Sequence, residues 1–147
     1  MKDFIEIERV WQDEDFFEMK ITCSNLYVLS SIKTYMTDEC LDNLSNIIKK
    51  FVNGDIDIGF WENVKKNDET TSYVSFKFSH IDSLGHILVE VYLDSLNDNI
   101  YEKYSCNFFI KTELGILLDF ATSLKQIKEK YLYNKVILDY IDLIPTK

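Results

Sequence analysis

His80, Asp82 and His86 fall within one short segment and are the side chains of this chain best suited to acid–base or metal chemistry. Two imidazoles and a carboxylate can share a proton or hold a transition metal, provided that they converge on one point. The flanking residues argue against convergence. Val74, Phe76, Phe78 and His80 alternate on one side of the run before the turn, and Ile87, Val89, Val91 and Leu93 on one side of the run after it. Asp82-Ser83-Leu84-Gly85 joins them, with Asp first and Gly fourth as a tight turn prefers. Pairing Asp82 with Gly85 sets His80 opposite Ile87, so both apolar sets share a face, which is what specifies a register. His80 then lies on the core side, where it is expected as a hydrogen-bonded residue at the core edge. His86 lies on the other side with Leu88, Glu90 and Tyr92, and the two rings cannot meet one ion without a bulge. Asp82, Gly85 and His86 therefore read as structural turn residues.

Other chemistry finds no better footing. Cys23, Cys40 and Cys106 are odd in number and widely spaced, fitting neither a disulfide framework nor a zinc site. They read as small, mostly buried apolar residues without an identifiable base partner. No phosphate-cradling glycine loop, GxSxG, HExxH or EF-hand pattern occurs. No catalytic residue, metal or cofactor is expected.

Recognition is better served. Trp11 stands beside Gln12-Asp13-Glu14-Asp15, and Phe60-Trp61-Glu62 follows Asp55 and Asp57. Aromatic bulk rimmed by charge is how tight protein interfaces are anchored. The partner-binding candidates are thus Trp11, Asp13, Glu14, Asp15, Asp55, Asp57 and Trp61. The competing reading is that the two tryptophans close the ends of the core and the acids are ordinary solvated surface.

The chain has 147 residues, 25 acids against 16 bases and a formal net charge of −9. That length suits one domain with a substantial core, and four Gly and one Pro leave no room for a flexible linker. A field of this sign repels nucleic acid and anionic membranes and speeds association with a basic partner. The first residues lack a secretory h-region, and no run of about 18 apolar residues exists to span a membrane. A reducing, cytoplasmic setting is expected.

The elements that must position these residues follow from periodicity. Residues 4–11 alternate as a strand, Asp13 to Asp15 form an acidic turn, and Phe17, Met19, Ile21 and Cys23 mark a second strand. Ser24-Asn25 makes a two-residue connection to a third strand over Leu26 to Tyr35. Thr37 is a hydroxyl N-cap followed by Asp38 and Glu39, which favour a helix start. Leu41, Leu44, Ile48 and Phe51 form its apolar stripe, and Asn53-Gly54 is a left-handed stop. Ile56, Ile58 and Phe60 alternate with Asp55, Asp57 and Gly59 as a short fourth strand, and residues 62–71 read as an exposed loop. After the hairpin, Tyr104, Cys106, Phe108 and Ile110 alternate, and Thr112 caps a second helix with a stripe from Leu114 to Ile127. The predicted fold is α+β: one antiparallel sheet of about seven strands, with two main helices at about 38–52 and 113–130 packed on it. It forms a single domain over 1–147 with an apolar C-terminal extension, 131–147. That extension is expected to pack as a short helix; a strand, or a homodimer contact through residues 132–147, is the alternative.

The segments Val74-Ser75-Phe76-Lys77-Phe78 and Asp82-Ser83-Leu84-Gly85-His86-Ile87-Leu88-Val89-Glu90-Val91 resemble the bacterial WapI-like immunity proteins of the wall-associated toxin system. The resemblance covers roughly residues 15 to 127, with Phe108 to Leu114 at the junction of an aromatic strand and a late helix. It centres on the D-x-L-G-H turn, and the stretch after Tyr131 stands outside it. It implies a non-catalytic cytoplasmic antidote that binds and neutralises a toxin domain, often a nuclease, whose basic groove an acidic protein can occupy. The alternative is an acidic protein-binding or oligomerisation module without a toxin partner.

Overall fold

The structure, a computed structural model, describes residues 2–14, 16–127 and 135–139. Asp15, the expected end of the second helix at 128–130, and residues 131–134 and 140–147 of the C-terminal extension lie outside them.

Strands and helices follow the order β1 (Phe4–Gln12), β2 (Phe17–Ser24), β3 (Leu29–Met36), α1 (Asp38–Val52), β4 (Gly59–Glu62), β5 (Tyr73–His80), β6 (His86–Asp94), β7 (Ser105–Glu113), α2 (Leu114–Ile127) and β8 (Lys135–Asp139). The class is α+β and antiparallel, as the periodicities require. The strands divide, however, into two four-stranded sheets, β3-β2-β1-β8 and β4-β5-β6-β7. Each run of hairpins closes on itself, because antiparallel neighbours need only short connections. α1 carries the chain from the first sheet to the second, and α2 carries it back to lay β8 beside β1.

One core unites both sheets and both helices. Ile5, Ile7, Met19, Ile21 and Ile32 face it from the first sheet, and Phe76, Phe78, Val89, Val91 and Ile110 from the second. α1 turns its Leu41, Leu44, Ile48 and Phe51 stripe inward, and α2 turns Leu117, Phe120, Ala121 and Leu124. Thr37 Oγ1 accepts the Cys40 N–H at 3.4 Å. At the other end the Gly54 N–H donates to Phe51 O and the Asp55 N–H to Lys50 O, with Gly54 at φ 84°. That pair of bonds satisfies the last carbonyls of α1 by the left-handed stop expected for Asn53-Gly54.

Several elements differ from expectation. β3 begins at Leu29, because Asn25 Oδ1 takes the backbone N–H groups of both Tyr27 and Val28 and forms a longer turn. β4 begins at Gly59 and runs in the opposite phase: Gly59 and Trp61 are buried while Ile58 and Phe60 are exposed. The close approach of α1 explains it. A Cβ at Gly59 would stand 3.2 Å from side-chain atoms of both Ile47 and Phe78, so any larger residue would force those neighbours to give way between helix and sheet. Thr112 is no helix cap; it points into the core from β7, and α2 follows that strand without a loop. Within the C-terminal extension, Lys135–Asp139 is a strand rather than a helix, with Val136 and Leu138 buried and Ile7 paired to Val136.

The free edge of β7 is blunted from the first sheet. Asn25 Nδ2 donates to Phe109 O at 2.9 Å, and the Lys111 N–H donates to Asp3 Oδ2 at 2.7 Å. Two side chains thus occupy backbone positions that an added strand would need.

Candidate functional site

A hollow of about 380 Å³ opens where the end of β1, the acidic turn, the end of β3 and the start of α1 meet. Trp11, Phe16, Tyr35, Met36, Thr37, Cys40, Asn63, Val64, Thr70 and Thr71 line it, with Asp13 at the turn. Trp11, Phe16 and Tyr35 are each about half exposed.

A β-bulge puts Trp11 there. β1 pairs Arg9 with Met19 but Trp11 with Glu18, so Val10 is the extra residue. By simple alternation Trp11 would follow Ile5, Ile7 and Arg9 into the core. The bulge turns it to the outer face, where it meets the Tyr35 ring edge to face at 6.1 Å. Bulges commonly re-aim a side chain in this way. Asp13 tightens the adjoining turn: its N–H donates to Phe16 O at 2.9 Å and its carboxylate accepts the Phe16 N–H at 2.7 Å.

The floor is a polar network that the sequence concealed inside its expected loop. Thr34 Oγ1 donates to Ser72 O at 2.7 Å. The same oxygen accepts from Asn63 Nδ2 at 2.8 Å and lies 2.9 Å from Thr71 Oγ1. The Tyr35 N–H donates to Thr71 Oγ1 at 3.0 Å, and Asn63 Oδ1 accepts the Val74 N–H at 2.8 Å. With one hydroxyl proton each, Thr71 must donate to Thr34, so the network has a single arrangement. It ties β3 of one sheet to the start of β5 in the other and makes the wall of the hollow rigid.

Beneath the turn, Arg9 is buried, with Nη1 donating to Gln12 Oε1 at 3.0 Å and its guanidinium 4.0 Å from the Phe17 ring centre. Asp38 lies 3.8 Å from Nη2, while among the described residues Nε and Nη2 have no hydrogen-bond acceptor. Burial pushes the guanidinium below its ordinary value and Asp38 partly restores it. The Cys40 thiol, 3.4 Å from Asn63 O, is pushed up to about 11, chiefly by burial and also by Glu39. That disfavours the thiolate a nucleophile requires.

The remaining candidates are dispersed. Asp13 and Glu14 are exposed beside the hollow, and Asp15 lies outside the described residues. Asp55 and Asp57 are exposed beyond the far end of α1, a 15-residue helix and so about 22 Å away along its axis. Trp61 is 2% exposed; its indole stacks on Phe76 and donates to Cys40 O at 3.0 Å, a core position. Of the seven, the structure gathers Trp11, Asp13 and Glu14. Phe16, Tyr35 and Asn63 were missed; the one available signal was that Phe16 directly follows the acidic run.

At the hairpin the register is as read, with His80 opposite Ile87. His80 is exposed at the end of β5, where it stacks on the Phe51 ring at 4.6 Å and, among the described residues, makes no side-chain hydrogen bond of the kind expected. On the other face His86 Nδ1 lies 2.6 Å from Asp82 Oδ2, and Nε2 lies 3.9 Å from Glu113. The hydrogen bonds from His86 and the Leu84 N–H hold the Asp82 carboxyl below its ordinary value. The two histidines do not converge. Among the described residues no group of three His, Cys, Asp or Glu side chains is placed to hold a metal ion. Among them also, no helix is long and apolar enough to cross a membrane.

Compared with known proteins, the chain matches no family model, no curated protein and no solved structure.

Proposed function

We propose that this protein is a non-catalytic binding protein that docks a basic protein partner at the Trp11–Phe16–Tyr35 hollow, in the manner of an immunity protein neutralising a toxin domain. The observation that carries the reading is the bulge at Val10, which spends a ladder position to turn a tryptophan from the core to the rim of an open hollow. Half-exposed aromatic rings on a rigid floor are what an interface anchor requires. Asp13 and Glu14 beside them, and a net charge of −9, suit a partner with a basic groove, such as a nuclease. The resemblance around the Asp82–His86 turn supplies the toxin as the partner class.

Calorimetric and stopped-flow titration against a toxin domain of the proposed basic, nuclease class tests the reading. One-to-one binding is expected, with Trp11→Ala weakening it about 30-fold or more, the loss typical of a hot-spot aromatic. Asp13→Lys combined with Glu14→Lys should slow association about tenfold at low salt, and less as salt screens the charge. Binding that is indifferent to all three substitutions would place the interface elsewhere.

A further inference from the structure

Among the described residues, the walls of the hollow combine three aromatic rings with a single carboxylate, Asp13, and none of the lining residues is lysine, arginine or histidine. The Trp11 and Tyr35 rings, both in the lining, pack edge to face at 88°. A cation is drawn to the electron-rich face of such rings, most strongly to that of tryptophan. Met36 and Val64 add apolar surface to the lining, which an ammonium or water molecule alone would leave unsatisfied. An aliphatic stem ending in a cation fits both parts, its methylenes on the apolar wall and its charge at the rings and carboxylate.

The start of α1 lies in the same wall through Thr37, and a helix N-terminus disfavours a cation. Its effect is equivalent to roughly half a positive charge. Asp38 and Glu39 in the first turn oppose it; the Arg9 guanidinium, 3.8 Å from Asp38, offsets one of the two, and with Asp13 on the wall the local charges still sum to a negative value.

We infer that the hollow receives one basic side chain of the partner protein, an arginine in preference to a lysine. The planar guanidinium can stack on a ring and pair with a carboxylate at once, which an ammonium cannot. This rests on the docking reading above and names the group that is docked.

The test uses the whole protein, labelled with nitrogen-15, and two blocked tripeptides, glycyl-arginyl-glycine and its citrulline counterpart, which keeps the shape and removes the charge. The Trp11 indole resonance is identified by its loss in Trp11→Phe. The arginine peptide is expected to shift that resonance saturably and to bind about fivefold more tightly than the citrulline peptide, the increment of an exposed cation–π contact. Asp13→Asn should weaken the arginine peptide about threefold, as a solvated ion pair does, and leave the citrulline peptide unchanged. Equal affinities, a shift centred away from Trp11, or no saturable shift with either peptide overturns the inference. If it falls while Trp11→Ala still weakens the toxin complex, the docking reading stands without it. If arginine selectivity holds while Trp11→Ala leaves that complex untouched, the docking reading falls and the cation site remains.

Discussion

The carbonyl oxygen of Gly85 accepts the backbone N–H of Leu114 at 3.0 Å, joining the tip of the β5–β6 hairpin to the first residue of α2. The first N–H groups of a helix have no partner within it. Here one of them is satisfied by a turn 29 positions earlier in the chain, while His86 pairs with Glu113 across the adjoining strands. The turn and the helix start are therefore one structural unit, and the position of α2 depends on the conformation of Gly85, whose φ is 92°.

Gly85→Ala should accordingly destabilise the fold by about 1–2 kcal/mol, the cost of a left-handed conformation for an L-residue. Space is not the obstacle, since the added Cβ would stand 3.8 Å from Leu114 Cδ1. Gly54→Ala, at φ 84° with nothing within 4 Å, provides the comparison and should lose a similar amount. Urea midpoints measure both. A Gly85→Ala protein as stable as the parent would show that the turn can reorganise without cost.

The two tryptophans should separate stability from binding. Trp61→Ala empties a core position and removes the hydrogen bond to Cys40 O, for a loss of about 3–5 kcal/mol. Trp11→Ala, at 46% exposure, should cost about 1 kcal/mol or less. Thermal or urea unfolding of the two variants decides the matter, and equal losses would contradict the placement of Trp11 at the rim.

Arg9 offers a test of buried charge. Among the described residues its Nε and Nη2 lack acceptors, so Gln12, Asp38 and the Phe17 ring only partly offset the desolvation of the guanidinium. Replacement by an apolar side chain of similar length, Arg9→Met, should be neutral or stabilising by about 1 kcal/mol, because removing such a charge also removes its desolvation cost. A loss above about 3 kcal/mol, read by chemical denaturation, would mean that the cation holds the β1–β2 turn in place.

The hairpin tip should contribute to acid sensitivity. The folded-state value of Asp82 is lowered from its ordinary 3.8, first by the hydrogen bond from His86 and then by that from the Leu84 N–H. A depressed carboxyl contributes stability that is present above the unfolded value and lost as pH falls through the folded one. Melting temperatures taken downward from pH 5 should therefore fall less steeply in Asp82→Asn than in the parent. Identical slopes would show that the Asp82–His86 contact does not persist in solution.

What the chain determined by itself is local. The period of two along residues 74–80 and 87–93, with Asp82 and Gly85 between them, was sufficient for the hairpin and its register, because a slip of one residue would expose every apolar side chain. The caps at Thr37 and Gly54 likewise bound α1 at Asp38–Val52, since they act within a single turn of helix. What the tertiary structure decided is the relation of parts distant along the chain. The two strand sets could not be seen to form separate sheets, nor β8 to join β1, because pairing across the length of the chain leaves no local period. The two tryptophans, read alike from the sequence, part company for related reasons. The phase of β4 is set by the approach of α1 over Gly59, which buries Trp61. The phase of Trp11 is set by one extra residue in a ladder, which alternation along a single strand cannot register.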